Sequence, residues 1–423
     1  MLDGNVNGKE DISVLICDDS ALMRNLISRV IDGTEGMHIV GKAMNGQFLI
    51  DKIPLLNPDV IILDIEMPVM NGIEFLKYRK ENRIDIPVII LSSIAEKGAA
   101  VTMQCLELGA ADFITKPNGS VSADISSVSD TLVEMIASYG GSYARRKHHK
   151  NVYGEEFFLH IVSDRAEDRT ISKKLATVMG EDKAKKFLES QHHAAPSASS
   201  TFDRPRFDFS APSKPKEPAT ITPLREPGRI EVIAIGISTG GPNALREVFK
   251  NIDPHLKQPI LVVQHMPAGF TKEFAGSLNK ICALSIKEAE DGEPIEDGHV
   301  YIAPGNYHIL VERGGLGKNV IRLSQEPQRN GHRPSADVLF ESVAKIYQNK
   351  ALGVIMTGMG KDGAVELAEM RKQGAWTLGQ DEKSSIVYGM PRVAFELGGV
   401  QKQVSLENMA DEISKAAREH LNS

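Results

Sequence analysis

Apolar and polar positions along the chain form two regions with the same alternating pattern. In the first region, short apolar runs rich in β-branched residues lack polar alternation, which is typical of strands buried on both faces of a parallel sheet. Amphipathic stretches separate these runs, as where Leu22, Leu26 and Val30 recur at helical spacing after the N-cap candidate Ser20. Five strands alternating with five helices predict a doubly wound α/β sheet, with strands over residues 13–17, 38–43, 60–63, 88–91 and 111–114.

From residue 230 the same alternation resumes and predicts a second, Rossmann-like α/β sheet. The segments 308–312 and 320–324 flank a Gly-rich turn and predict a hairpin added to this sheet. Its strands are predicted over residues 232–237, 260–263, 300–303 and 353–357, and its helices over 243–250, 335–347 and 363–372.

The residues between the two regions differ in composition. A basic cluster at residues 145–150 is followed by a stretch rich in Ser, Ala and Pro and then by alternating Pro and charge, which is typical of a solvated linker. Helical spacing within 171–190 predicts one short helix there. We therefore predict a domain over 11–140, a partly disordered linker over 141–228 and a second domain over 229–423.

Composition narrows the function classes. The chain has 423 residues, enough for two or three domains, and a net charge of −7, which argues against broad nucleic-acid binding. No apolar run approaches the length of a membrane span, and the polar N-terminus lacks the apolar core of a signal peptide. Three scattered cysteines do not suggest a disulfide framework, so we expect a cytoplasmic protein that does not insert into membranes.

In the first region, polar side chains follow several predicted strands. Asp18 and Asp19 end the first strand, Asp64 the third and Ser92 the fourth, while Lys116 follows the fifth. In a parallel sheet these positions meet at one edge, where carboxylates can hold Mg²⁺ and a lysine can pair with a phosphoryl group. The alternative is that these residues only cap helices.

Residues 11–140 resemble a two-component receiver domain. The resemblance rests on the Asp pair, on Asp64 with the following Glu66-Met67-Pro68 and Gly72, on Ser92 and on Lys116-Pro117. It implies a histidine kinase as phosphodonor. It further implies Asp64 as phosphoacceptor, Mg²⁺ held by Asp18, Asp19, Asp64 and the Glu66 carbonyl, phosphate sensing by Ser92 and Lys116, and Phe113 at the aromatic switch position.

The second region begins with the segment Gly236-Ile237-Ser238-Thr239-Gly240, between a predicted strand and a predicted helix. The segment fits the G-x-S-x-G turn that exposes a nucleophilic serine, although Gly-rich turns of this form also bind phosphates. His265 and Asp362 likewise follow predicted strands of the same sheet, so the three side chains can form a hydrolytic triad. Taken singly, the histidine could be structural and the aspartate a helix cap. The order Ser, His, Asp differs from that of the α/β-hydrolases.

From about residue 230 to the end, the chain resembles the catalytic domain of chemotaxis protein-glutamate methylesterases of the CheB type. The matching segments are Gly236–Pro242, Gln264-His265-Met266-Pro267 with Phe270-Thr271, Ala303-Pro304-Gly305, His332-Arg333-Pro334-Ser335 and Thr357–Ala364. The resemblance implies hydrolysis of glutamyl methyl esters on methyl-accepting chemoreceptors, with glutamine deamidation as a second activity and no cofactor at the hydrolase site. It also implies that the unphosphorylated receiver covers the serine.

The roles expected from this resemblance are specific. Ser238 is the nucleophile, His265 its base, and Asp362 orients the imidazole. The backbone N–H groups of Thr239 and Met359 are candidates for the oxyanion hole, and Arg333 for binding an acidic receptor surface, with an ordinary exposed arginine as the alternative. Two other outputs stay open: a binding module without catalysis, and a dinucleotide-binding domain, which the incomplete G-x-G-x-x-G disfavours.

Overall fold

The computed structural model describes residues 11–92, 96–116, 125–149 and 217–419. The helix predicted over 171–190 and Pro117 of the receiver segment lie outside these residues. The first described unit is a five-stranded parallel sheet in the order β2-β1-β3-β4-β5, so the predicted doubly wound sheet is confirmed. Its elements are β1 Ile12–Cys17, α1 Ala21–Asp32, β2 Met37–Ala43, α2 Gly46–Leu56, β3 Val60–Asp64, α3 Gly72–Glu81, β4 Val88–Ser92, α4 Glu96–Glu107, β5 Asp112–Thr115 and α5 Ile125–Met135.

The last helix of this unit lies beyond the predicted domain boundary at residue 140. After a π-helical turn over Ile136–Gly140, helix α6 covers Gly141–His149 and packs on the sheet. The Tyr143 hydroxyl donates to Asp85 Oδ1 at 3.1 Å. Lys147, from the basic cluster, forms a 3.0 Å ion pair with Asp59 instead of extending into solvent. The structure therefore continues the first unit for nine residues into the predicted linker.

The second unit is a seven-stranded parallel sheet in the order β14-β13-β12-β6-β7-β9-β8. The predicted hairpin is present, but β10 and β11 form a separate two-stranded sheet, so its predicted addition to the main sheet is wrong. The elements are β6 Val232–Ile237, α7 Gly241–Asn251, β7 Ile260–Gln264, α8 Phe270–Asn279, β8 Ser285–Glu288, β9 His299–Ile302, β10 His308–Arg313, β11 Asn319–Ser324, α9 Ala336–Tyr347, β12 Ala351–Ile355, α10 Ala364–Lys372, β13 Trp376–Gln380, α11 Met390–Glu396, β14 Lys402–Val404 and α12 Leu406–Glu419.

Residues 217–228, which the sequence assigns to the linker, are extended along the second unit. Their backbone N–H groups donate across to it, from Ala219 to the Glu396 carbonyl at 3.1 Å and from Leu224 to the Lys372 carbonyl at 2.8 Å. The described cysteines are all free thiols, and Cys17 and Cys105 are buried. None of the helices in the described part of the chain has the length and apolar character that a membrane span requires.

Candidate active site and phosphoacceptor site

The serine turn connects β6 directly to α7. The Ser238 N–H donates to the Thr357 carbonyl at 2.9 Å, and the Gly241 N–H returns to the Ser238 carbonyl at 2.7 Å. Gly240 has φ of +80°, a conformation that favours glycine. A Cβ at Gly241 would lie 1.9 Å from Gln264 Oε1, so this position also needs glycine. The two glycines allow a turn tight enough to hold Ser238 at the carboxyl edge of the sheet.

The three predicted triad residues lie in one hydrogen-bonded chain. Ser238 Oγ is 3.0 Å from Nδ1 of His265, and the other ring nitrogen, Nε2, is 2.8 Å from Asp362 Oδ2. A carboxylate can only accept, so Nε2 carries the proton and Nδ1 is free to accept from the serine hydroxyl. The side chains come from the loops after β6, β7 and β12, which are adjacent strands of the sheet with β6 in the middle.

Asp362 is 1 % exposed and accepts several further hydrogen bonds. Ser335 Oγ donates to Oδ1 at 2.6 Å, Asn330 Nδ2 to the same oxygen at 3.0 Å, and the Ala336 N–H to Oδ2 at 2.6 Å. Burial alone would raise the pKa of Asp362, but the hydrogen bonds from His265, Ser335 and Asn330 and the proximity of the imidazole hold that pKa well below its usual value. The carboxylate therefore stays ionised beside the imidazole at neutral pH.

The two backbone groups predicted for the oxyanion hole flank the serine. Among the described residues, neither the Thr239 N–H nor the Met359 N–H donates to a protein acceptor. The loop that carries Met359 passes directly against the nucleophile, since a Cβ at Gly358 would lie 2.8 Å from Ser238 Cβ. Within the described part of the chain, both N–H groups therefore lack a protein acceptor.

The guanidinium of Arg333 binds residues outside the hydrogen-bonded triad. Its guanidinium donates to Asn306 Oδ1 at 2.7 Å and to the carbonyls of Gln325 and Glu326 at 2.8 and 3.0 Å. Its neighbour His332, for which the sequence suggested no role, has its ring stacked on the ring of His265 with centroids 3.8 Å apart. Only the position of His332 within the His332–Ser335 segment could have drawn attention to it.

At the carboxyl edge of the first sheet, oxygens of Asp18, Asp19 and Asp64 all lie within 4.8 Å of one another. Lys116 Nζ is 2.7 Å from Asp64 Oδ2 and 3.1 Å from Asp18 Oδ2. Burial raises the pKa of Asp64 to about 6, against the lowering effect of Lys116. Three close carboxylates, with Asp19 exposed to solvent, form an oxygen-only donor set with room for water, which suits Mg²⁺.

The other predicted phosphate-site residues lie nearby in sequence or structure. Ser92 is buried at the end of β4, with its hydroxyl 2.6 Å from Thr102 Oγ1. Glu66 is exposed two residues after Asp64. Phe113, on β5, is buried by a residue of the second unit, since its ring stacks on that of Phe270 at 5.0 Å and 9°.

The edge of the first sheet lies against the serine turn of the second. Asp112 Oδ2, on β5, accepts from the Gly240 N–H at 2.9 Å, two residues from the nucleophile. Asn243 Nδ2 donates to the carbonyls of Ala110 and Ala111, both at 2.9 Å. Burial raises the pKa of Asp112 to about 6 despite its hydrogen bonds. Ser238 itself is 9 % exposed in this arrangement.

Comparison with known proteins identifies the family of each of the two units. The family model for the CheB methylesterase matches residues 233–413, and that for the response regulator receiver domain matches residues 14–122. Proteins named protein-glutamate methylesterase/protein-glutamine glutaminase from Treponema denticola and Treponema pallidum are 53% and 50% identical, covering 97% and 96% of this chain and 99% and 97% of their own. The crystal structure of the Thermotoga maritima CheB methylesterase catalytic domain is 36% identical and covers 44% of this chain and 98% of its own, with a TM-score of 0.43.

The match to the Treponema proteins extends over nearly the whole of both chains and includes the receiver and the hydrolase regions. The chain therefore belongs to the CheB methylesterase family, with a response regulator receiver domain in front of the methylesterase domain.

Proposed function

We propose that this chain is a protein-glutamate methylesterase that removes methyl groups from glutamyl esters of chemoreceptors, under control of its receiver domain. The observation that carries the proposal is the hydrogen-bonded chain from Ser238 through His265 to Asp362. The names of the relatives support the same substrate class and add glutaminase activity. Free buried thiols support a reducing, cytoplasmic setting.

The first half of the reaction forms an acyl-enzyme. Ser238 Oγ attacks the ester carbonyl while Nδ1 of His265 takes the hydroxyl proton. Asp362 stabilises the imidazolium that results. The carbonyl oxygen gains negative charge and accepts from the N–H groups of Thr239 and Met359, of which one such donor typically contributes about 3–4 kcal/mol. His265 then gives its proton to the departing methoxide, which leaves as methanol.

In the second half, water attacks the acyl carbon and His265 again takes the proton. The bond to Ser238 Oγ breaks, the serine regains its proton from the imidazolium, and a glutamate side chain is released. A glutamine side chain has the same carbonyl carbon with an amine as leaving group. The same steps therefore release ammonia from glutamine, and we propose deamidation as the second activity.

For the receiver, we propose that Asp64 accepts a phosphoryl group from a histidine kinase. Asp18, Asp19 and Asp64, with the Glu66 carbonyl, would hold Mg²⁺, which neutralises phosphoryl charge when bound. Lys116 already binds Asp64 and can pair with the new phosphate oxygens. Ser92 would donate its hydroxyl to them.

We also propose that docking of the receiver limits the unphosphorylated enzyme. The Asp112 and Asn243 hydrogen bonds and the Phe113–Phe270 stack support this idea, because they fix the receiver beside the nucleophile. A truncated protein that tests it should begin near residue 217 and not near Pro227, since residues 217–228 hydrogen bond to the second unit. Equal rates for the unphosphorylated full chain and the truncated protein would contradict the proposal.

The activity is tested by replacing the nucleophile. We expect Ser238→Ala to abolish methanol release from methylated receptor, because no other group in the chain of hydrogen bonds can form the acyl-enzyme. Ser285→Ala, at an exposed serine of β8, is the matched control and should keep the wild-type rate. Turnover by the Ser238 variant at the wild-type rate would end the proposal.

A serine-directed fluorophosphonate separates catalysis from a pure binding output. An activated Ser238 should form a covalent adduct in the wild type and none in Ser238→Ala. An unlabelled wild-type protein with intact fold would favour the binding module.

A further inference from the structure

A second histidine packs on the imidazole of the proposed triad. The rings of His332 and His265 are 16° from parallel, with centroids 3.8 Å apart, which is face-to-face stacking. In the described part of the chain, the ring nitrogens of His332 have no hydrogen-bond partner. The stack places this ring directly against the proposed base, and its role rests on the hydrolase function proposed above.

The backbone around His332 is held at both ends. Arg329 and His332 exchange backbone hydrogen bonds of 3.1 and 3.0 Å, which closes a tight turn. Within it, Asn330 donates to Asp362 Oδ1 at 3.0 Å, so the turn is tied to the same carboxylate that binds His265. On the other side, Arg333 is fixed to Asn306 at 2.7 Å. His332 is thus placed against His265 by residues that do not themselves touch Ser238.

His332 is half-buried, and burial favours the uncharged form of its ring. Burial and the neighbouring His265 together lower the pKa of His332 to about 4. At neutral pH the ring is uncharged and aromatic. Stacking of a cation on an aromatic face is favourable, whereas two stacked imidazolium rings would repel each other.

Two hydrogen bonds at the ring edge hold His265 between Ser238 and Asp362. Its Nδ1 contact with Ser238 must loosen when the serine is acylated, which leaves the Nε2 bond to Asp362 as the remaining hinge. A ring held at one edge can rock about that bond. A flat neighbour 3.8 Å away on one face limits this motion.

We propose that His332 is a positioning residue of the hydrolase. Its neutral ring keeps His265 in the plane that aims Nδ1 at Ser238 and stabilises the imidazolium formed during each proton transfer. The role requires an aromatic or planar surface at this position but no hydrogen bond from it.

The test uses the full chain and follows the rate at which a fluorophosphonate labels Ser238. This rate reports activation of the serine by His265 and does not depend on any receptor. We expect His332→Ala to slow labelling about 10-fold or more, and His332→Phe, which restores a stacked ring, to recover most of the rate. The control His255→Ala changes an exposed histidine and should leave the rate unchanged.

A pH profile separates positioning from a general packing role. His332→Arg keeps a flat stacking surface but adds a permanent charge, so it should shift the acid limb of the labelling profile to lower pH by about one unit. Thermal unfolding of each variant checks the fold.

Three results would overturn the inference. These are labelling by His332→Ala at the rate of the His255 control, a His332→Phe protein that is folded but as slow as His332→Ala, and an unshifted profile for His332→Arg. Failure of the proposed function would look different, because the wild type itself would then release no methanol from methylated receptor, with or without labelling of Ser238.

Discussion

The Asp362 carboxylate accepts hydrogen bonds from both a helix N-terminus and an imidazole. Its carboxylate accepts from the N–H groups of Ala336 and Asp337 in the first turn of α9, where the N-cap residue Ser335 makes no side-chain cap of its own. The same carboxylate accepts from His265. The sequence left helix capping as the alternative to a catalytic role for Asp362. The residue does cap a helix, but that helix is α9, which precedes Asp362 along the chain.

This double role gives a prediction for Asp362→Asn. The amide has lost one acceptor oxygen and the charge, so the proton on His265 is no longer fixed at Nε2. We expect kcat for methanol release to fall by about 10³-fold or more. Loss of the cap should also lower the free energy of unfolding by about 1 kcal/mol. Kinetics and chemical denaturation of the same preparation measure both effects.

Asp411→Asn, at an exposed aspartate of α12, is the control for the charge change. An Asp362→Asn enzyme with unchanged kcat would show that the carboxylate only caps α9.

At the scale of elements, the sequence predicted the buried strands well. The strand predicted over 60–63 is Val60–Asp64, and that over 232–237 agrees with β6 at both ends. Three strands were missed, β8, β13 and β14. Two of these are the edge strands of the sheet, and an edge strand does not need the continuous apolar run that identifies a central one.

The site was predicted where each side chain follows a central strand. Ser238, His265 and Asp362 come after β6, β7 and β12, and topology alone brings such positions together. His332 and Asp112 could not be found in this way. His332 reaches the site from a turn between β11 and α9, and Asp112 from the other sheet, so only the packed chain shows them there.

Helix α7 carries the contact that we propose limits the enzyme, and a second asparagine of the same helix allows a matched test. Asn243 donates to the receiver carbonyls, while the side-chain hydrogen bonds that Asn251 makes to described residues stay within the helix, to Glu247. Asn243→Asp would set a carboxylate against two carbonyl oxygens and remove the hydrogen bond that each accepts from Asn243. We expect the unphosphorylated chain to release methanol several-fold faster, with Asn251→Asp unchanged. Wild-type rates for both variants would contradict the role of this contact.

For the whole molecule, the contact between the two units should depend on pH. Asp112 has a pKa of about 6 when docked, against an ordinary value of 3.8, because it is buried. If undocking returns this carboxyl to water, the docked state binds its proton more tightly. Docking is then strongest below the ordinary pKa and weakens as the pH rises through about 6.

We therefore expect the rate of the unphosphorylated wild type, divided by that of Asn243→Asp at the same pH, to rise between about pH 5 and pH 7. Asp112→Asn has no carboxyl to titrate and should give a flat ratio. If this rate ratio varied with pH in the same way for the wild type and Asp112→Asn, the Asp112 carboxyl would not control docking.

Strand β5 joins the two sites of the molecule. Asp112 and Phe113, at its start, contact the methylesterase unit, and Lys116, directly after its end, binds Asp64. Four residues of strand span about 13 Å. We therefore expect phosphorylation of Asp64 to affect the contact with the methylesterase unit through β5, by way of Lys116.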